Sequence, residues 1–153
     1  MRRSELFVHI TKIDDPVKDH AKLLSNLHYT HFFMMDRYKK LLADYDLTAT
    51  QSNVLGIIGY YAPKAVSLEE IKEMILEPNS DVSRTVARLA EKGFVEKVVN
   101  KENRRKVSIV ITSKGLKMIK KIEADGMFQK FTIAISKAEA KTFVGVLAKL
   151  RKH

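Results

Sequence analysis

Residues 80–115 have the sequence SDVSRTVARLAEKGFVEKVVNKENRRKVSIVITSKG, in which three local patterns follow one another. The first is helical, because apolar residues recur with helical spacing and Gly93 is a typical helix stop. The apolar residues with this spacing are Val82, Val86, Leu89 and Ala90. Two strand-like segments follow, over 94–99 and 106–112, and a turn too polar for burial joins them. The stretch therefore predicts a helix followed by a two-stranded hairpin with a polar tip.

Positive charge is concentrated in the same region. Residues 80–121 hold twelve Lys or Arg and only four acidic residues, a net charge of +8, whereas the whole chain carries +10. A cluster of this size is most readily tolerated when a polyanion neutralises it. A solvated charged face explains most basic runs. Here the coincidence of the charge with the helix and the hairpin favours contact with a nucleic acid.

Two helices are predicted upstream of this stretch. Thr48 and Gln51 have capping-box spacing ahead of an apolar helix, and Ser67 and Glu70 repeat that spacing ahead of a shorter one. Three helices followed by a hairpin are typical of a winged helix-turn-helix. In this fold the third helix enters the major groove of duplex DNA. The sequence therefore predicts a module that binds double-stranded DNA.

The third helix, predicted to begin at Asn79 or Ser80, carries candidate base-contacting residues on its outward face. Arginine can bind guanine bidentately, serine can donate to a base or a phosphate, and alanine can touch a thymine methyl. The hairpin tip would place arginines beside the duplex, where a narrow minor groove attracts them. The candidate DNA-binding residues are Ser80, Ser83, Arg84, Ala87, Arg88, Lys101, Arg104, Arg105 and Lys106.

Further helices are predicted on both sides of the module. Asp15 and Pro16 mark the start of a long first helix whose apolar stripe repeats every 3.5 residues, the period of a helix–helix seam. Ser113 is expected to cap a helix that runs to about Phe131, and Ser136 to open a last helix by a capping box. The candidate dimer-interface residues on these helices are Val17, Leu24, Phe143, Leu147 and Leu150.

The expected fold is mainly α with a small β-hairpin wing, a winged helix-turn-helix flanked by N- and C-terminal dimerisation helices. We expect an N-terminal arm and dimerisation helix over 1–46, a DNA-binding region over 47–113, and C-terminal dimerisation helices over 114–153. The length of the chain suits one integrated folding unit.

From Leu47 to Gly115 the chain resembles the MarR family of bacterial transcription regulators. The matching segments are LTATQSNVLGII, VSLEEIKEMI, SDVSRTVARLAEKGFVEK and NKENRRKVSIVITSKG. The last segment resembles the wing pattern Asp-x-x-Asp-x-Arg, then a strand, then Leu-Thr-x-x-Gly. Arg105 falls on the wing arginine, and Asn100 and Asn103 replace the two aspartates. The resemblance implies a homodimeric repressor that binds a palindromic operator and is released by a small-molecule effector.

His28 and His31 share a face of the first helix, at positions i and i+3 of its apolar stripe. The favoured interpretation is that both are partly buried or lie in the helix–helix seam and form hydrogen bonds there. A metal or acidic-ligand role is the alternative, although the spacing supplies no third ligand. With Met35 and Tyr38 these histidines form the candidate effector pocket, and the runs over 32–35 are otherwise core or seam residues.

The composition excludes several classes of function. The absence of cysteine excludes disulfides and Cys-type zinc fingers, and the six glycines form no phosphate-binding loop. We expect no catalytic residues, cofactor or metal. No apolar run reaches the roughly 18 residues of a membrane span, and residues 1–15 make a poor signal peptide. We therefore expect a cytoplasmic protein that does not contact membranes. The alternative function is a winged-helix protein-interaction module without sequence-specific DNA binding.

Overall fold

The computed structural model describes residues 16–99, 107–126, 129–132 and 134–151. Its helices are α1 (Pro16–Ala43), α2 (Ala49–Tyr61), α3 (Leu68–Met74), α4 (Val82–Glu91), α5 (Ser113–Ala124), α6 (Gln129–Thr132) and α7 (Lys137–Leu150). Its strands are β1 (Val66–Ser67), β2 (Val95–Val99) and β3 (Val107–Ile111). The chain divides into two compact units, Met1–Asp44 and Tyr45–His153. The mainly helical fold with a small sheet is the one expected from the sequence.

Helix α1 belongs to the first unit and begins at Pro16, as predicted, where the missing proline N–H costs no hydrogen bond. Much of its apolar stripe is exposed, including Leu24 and the neighbouring Phe32, which is 72% exposed. Tyr29 stacks on Phe33 with ring centroids 6.4 Å apart. The helix therefore presents a long row of large apolar side chains to its surroundings.

Helices α2 and α3 both begin with the predicted capping boxes. Gln51 N donates to Thr48 Oγ1 at 3.1 Å, and Thr48 N donates to Gln51 Oε1 at 3.1 Å. Glu70 N donates to Ser67 Oγ at 3.1 Å, and Ser67 N donates to Glu70 Oε2 at 2.8 Å. The backbone N–H of Ser67, followed by its hydroxyl, lowers the pKa of Glu70 because both stabilise the carboxylate. Each box satisfies two backbone donors that the first helical turn would otherwise leave without partners.

The sheet has three antiparallel strands in the order β1-β3-β2. The predicted hairpin is confirmed by the pairing of β2 with β3, with Val95 opposite Ile111. Strand β1 was missed, because its two residues are too few to show an alternating pattern. Val66 pairs with Ile109, and both side chains are fully buried.

The core of the second unit is formed by apolar side chains from α2, α3, α4 and the sheet. Val82, Val86 and Leu89 of α4 are buried as predicted. They join a core that includes Val54, Leu55, Ile58, Ile71, Val95 and Ile109. Because α4 is fixed by this inner face, its outer face has a defined orientation within the unit.

The predicted start of α4 was wrong by two to three residues. The helix begins at Val82, and Asp81 is its N-cap, accepting from Arg84 N at 2.9 Å. Ser80 therefore lies before the helix, in a turn where its N–H donates to Glu77 O at 3.0 Å. An aspartate carboxylate is as good a cap as serine or asparagine, so residue preference alone did not select the correct position.

The predicted bounds of the following helix were also wrong. Thr112 caps α5 in place of Ser113, accepting from Gly115 N at 3.0 Å. The helix ends at Ala124 and not near Phe131, and Gly126 follows with a φ of +63°. A left-handed residue at this position ends the helical hydrogen-bond pattern. Helix α6 is a separate short turn.

Helix α7 begins with the predicted capping box of Ser136 and Glu139. In the described chain none of its residues is buried. Phe143 is 51% exposed, Leu150 is 44% exposed, and Leu147 is half-buried. Among the described residues, the apolar stripe of α7 therefore has no complete cover.

In the described ranges, no helix has the length and apolar content needed to cross a lipid bilayer.

Candidate nucleic-acid interface

Helix α4 presents three of the predicted DNA-binding side chains together. Ser83, Arg84 and Arg88 are exposed on the face opposite the buried valines and leucine, and Ala87 is half-buried beside them. Ser80 is half-buried in the turn before the helix. Since the inner face is held in the core, the exposed face can enter a groove without disturbing the fold.

Both ends of α4 are fixed by backbone geometry. Asp81 caps the N-terminus, as described above. At the C-terminus Gly93 adopts a φ of +73°, and Phe94 N donates to Leu89 O at 2.9 Å while Gly93 N donates to Ala90 O at 2.8 Å. These two bonds form a Schellman motif, which a glycine at the left-handed position favours.

The turn before α4 is attached to α2 by side-chain hydrogen bonds that the sequence did not indicate. Glu77 Oε2 accepts from Thr50 Oγ1 at 2.9 Å and from Ser80 Oγ at 3.1 Å. Leu76 N donates to Asn53 Oδ1 at 3.1 Å. Two of these bonds join residues more than twenty positions apart, so no local spacing could have identified them. They fix the position of the turn relative to the first turns of α2.

A polar depression of about 250 Å³ lies along α4. Its lining residues are Thr48, Thr50, Gln51, Ser80, Asp81, Arg84, Thr85 and Arg88. Within the described part of the chain neither arginine forms an ion pair. The two guanidinium groups and the neighbouring hydroxyls provide donors for phosphate oxygens and for the acceptor edge of guanine.

The segment from Thr112 to Gly115 joins α4, the sheet and α5. Thr112 Oγ1 donates to Gly93 O at 2.7 Å while it caps α5. Lys114 Nζ donates to Lys92 O at 2.7 Å and lies 5.2 Å from the centre of the Phe94 ring. A Cβ on Gly115 would lie 2.2 Å from Phe94 O, so only glycine allows this close approach. The Thr-x-x-Gly pattern thus has a structural role, because it holds the C-terminus of α4 against α5.

Gly115→Ala is expected to destabilise the protein by about 1–3 kcal/mol, the usual cost of overpacking a core. The added methyl would also lie 2.7 Å from Ile111 Cγ1, so α5 must move away from the sheet. The matched control is Gly56→Ala in α2, where a Cβ meets nothing within 4 Å. The control should be neutral or stabilised by up to about 1 kcal/mol, since alanine is the better helix former. Denaturant unfolding measures the free energy of unfolding of both variants. Equal values would contradict the close approach of Gly115 to the Phe94 carbonyl.

The remaining predicted site residues lie elsewhere. Lys101, Arg104, Arg105 and Lys106 fall outside the described residues, as does the side chain of Val17. On α1, His28 and His31 are exposed, whereas Met35 and Tyr38 are half-buried. Among the described residues, no three His, Asp or Glu side chains converge as metal ligands would.

Comparisons with known proteins agree with this geometry. A model of the MarR family matches residues 45–106. YwhA, an uncharacterized HTH-type transcriptional regulator of Bacillus subtilis, is 29% identical over 144 residues, covering 86% of this chain and 98% of YwhA. YybA, another such regulator of that organism, is 24% identical over 71% of this chain and 73% of its own length.

Solved structures share the fold at lower sequence identity. A MarR-like transcription regulator from Bacillus cereus has a TM-score of 0.75 at 19% identity, over 88% of this chain and 97% of that one. A mutant MarR from E. coli complexed with operator DNA has a TM-score of 0.74 at 23% identity, over 90% and 99%. The wing motif, the helix order, the family model and these relatives agree. Residues 45–106 therefore match the MarR family model, and the chain has the winged helix-turn-helix fold of the MarR-family structures that it resembles.

Proposed function

We propose that this regulator is a homodimeric repressor that binds a palindromic operator in double-stranded DNA. The observation that carries the proposal is the outward face of α4, where Arg84 and Arg88 are exposed without ion-pair partners in the described chain. A bidentate arginine–guanine contact discriminates against a wrong base by roughly 1–3 kcal/mol. Sequence-specific binding through α4 in the major groove accounts for this face, because a helix fits that groove and the two arginines supply donors for guanine and phosphate.

The proposed homodimer is supported by the exposed apolar surface of this chain. Phe143, Val146 and Leu150 share one face of α7, and their exposed fractions lie between 39% and 51%. Large contiguous apolar surfaces on soluble proteins usually mark an interaction site. A symmetric pair of chains would cover the stripe and place two α4 helices on two half-sites, which a palindromic operator requires.

Release by a small-molecule effector is the last part of the proposal. A mainly apolar depression of about 430 Å³ lies between α2 and α5, a volume within the usual range for ligand sites. Its lining includes Leu55, Tyr60, Leu116 and Ile119. The four α1 residues predicted for an effector pocket, His28, His31, Met35 and Tyr38, are a separate candidate. Thermal unfolding with a panel of aromatic acids would test both, using Ile119→Glu and His31→Glu as blocking variants.

The direct test is selection of bound duplexes from a random pool. We expect enrichment of an inverted repeat whose half-sites lie about one helical turn apart. Binding should weaken steeply as salt is raised, because phosphate contacts release counterions. If no sequence is enriched from the pool and DNA binding does not depend on salt, the alternative of a protein-interaction module is favoured.

Arg105→Ala is expected to weaken binding to all duplexes and to lower the salt slope by about one unit, through loss of one phosphate contact at the proposed wing. The matched control is Arg105→Lys, which keeps the charge and should restore the slope while losing the planar fork of donors. Titrations of duplex DNA at several salt concentrations measure the affinity and the salt slope of each variant. An unchanged slope in Arg105→Ala would contradict a wing contact with the backbone.

A further inference from the structure

Glu77 places a negative charge beside the surface proposed to bind DNA. Its carboxylate is exposed, and one oxygen accepts from the hydroxyls of both Thr50 and Ser80, at 2.9 Å and 3.1 Å. Those two hydroxyls line the polar depression that also contains Arg84 and Arg88. The carboxylate therefore links the first turn of α2 to the turn before α4, through two hydroxyl-bearing residues that line the depression.

A carboxylate and a phosphodiester group offer the same acceptor chemistry to a hydroxyl. Each hydroxyl has a single hydrogen to donate, and in the free protein Glu77 receives both. A DNA phosphate that accepts from these two hydroxyls must take their hydrogens from the carboxylate. The phosphate must also approach the negative charge of Glu77. This repulsion disfavours contacts between the DNA backbone and this part of the protein surface.

The free-energy cost of displacing Glu77 from the hydroxyls and of approaching its charge differs between operator DNA and other DNA. Non-operator binding depends almost entirely on attraction to the backbone, so a carboxylate near the phosphate path weakens it directly. In the operator complex, base contacts from α4 hold the duplex close to the depression. The hydroxyls of Thr50 and Ser80 can then donate to a phosphate oxygen, which replaces the bonds lost from Glu77.

We propose that Glu77 is a specificity-determining residue of the DNA-binding surface. Its carboxylate occupies the hydroxyls of Thr50 and Ser80 and weakens binding to non-operator DNA more than binding to the operator. The inference rests on the proposed function, because it assumes that α4 contacts an operator.

The test is Glu77→Gln in the full-length protein. The glutamine side-chain oxygen can accept the same two hydrogen bonds, so the variant removes the charge and keeps the shape. The matched control is Glu69→Gln on α3, where Glu69 is exposed and lines neither of the two depressions described above. Dissociation constants are measured for the selected operator and for a duplex of scrambled sequence at one salt concentration.

Glu77→Gln is expected to tighten scrambled-duplex binding about 3- to 10-fold and operator binding less than about 2-fold, so the specificity ratio falls. Glu69→Gln should change both constants by less than about 2-fold. A second variant, Glu77→Ala, also removes the acceptor. It should also lower the ratio, because the charge that disfavours scrambled duplexes is absent from this variant as well.

Two results would overturn the inference and leave the proposed function standing. One is a specificity ratio in Glu77→Gln equal to that of the wild type or of Glu69→Gln. The other is weaker operator binding in Glu77→Gln together with a lower melting temperature, which would show that Glu77 only supports the turn. A wild-type protein that prefers no duplex would instead overturn the proposed function, and this inference with it.

Discussion

Phe143→Glu is expected to separate the proposed dimer and to lower operator affinity roughly 10²- to 10⁴-fold, the range by which two linked binding modules exceed one. Phe143 is the first large apolar residue of the α7 stripe and is 51% exposed in the single chain. A glutamate there remains hydrated in a monomer, but in a dimer it would bury a charge without a partner, which is strongly unfavourable. The monomer fold should therefore survive the substitution.

The matched control for Phe143→Glu is Gly145→Glu. Gly145 lies on the opposite side of α7, a Cβ there meets nothing within 4 Å, and the substitution adds the same charge. Sedimentation velocity and operator titration are measured on both variants at the same protein concentration. A Phe143→Glu protein that stays dimeric and binds normally would contradict the role of the α7 stripe, and a dissociated control would show a general effect of charge.

Arg84→Ala and Arg88→Ala are expected to reduce discrimination between the operator and single-base variants by roughly 5- to 150-fold at the contacted position. Each guanidinium is exposed, and its removal leaves the buried face of α4 unchanged. Folding stability should stay within about 0.5 kcal/mol of the wild type. The preference lost should be for guanine, because guanine presents two acceptors to the arginine fork.

Lys117→Ala on α5 is the matched control for the arginine variants, since it removes one positive charge from an exposed site on another helix. It should weaken operator and variant duplexes equally and leave the selected sequence unchanged. Repeating the random-pool selection with each variant gives the comparison. If both arginine variants select the wild-type operator, these side chains contact only phosphates and α4 does not determine base preference.

Much of the fold follows from local sequence. Pro16, the two capping boxes at Thr48 and Ser67, and the glycine at 93 each determine a helix end through contacts within a few residues. The alternation of the second strand and the apolar spacing of α4 identify which side chains enter the core. These signals are local, because the hydrogen bonds and the periodicity that they reflect span only one or two turns.

The candidate site was predictable in part. The sequence predicted that Ser83, Arg84 and Arg88 share an exposed helical face, since helical spacing alone places them together. It misplaced Ser80 on the helix, because Asp81 competes for the same cap. It gave no role to Glu77, whose partner Thr50 lies 27 positions away and comes near only when α2 and α4 pack on one core.

The sequence by itself determined the helix order, the hairpin and the basic outward face of α4. Those features depend on short-range periodicity, on caps and on charge, all of which are properties of neighbouring residues. Only the tertiary structure showed that Val66 adds a third strand and that Gly115 lies against the Phe94 carbonyl. It also showed that Glu77 bridges α2 and the turn before α4. These contacts join residues distant in the chain, so they are decided when the core forms and leave no regular spacing in the sequence.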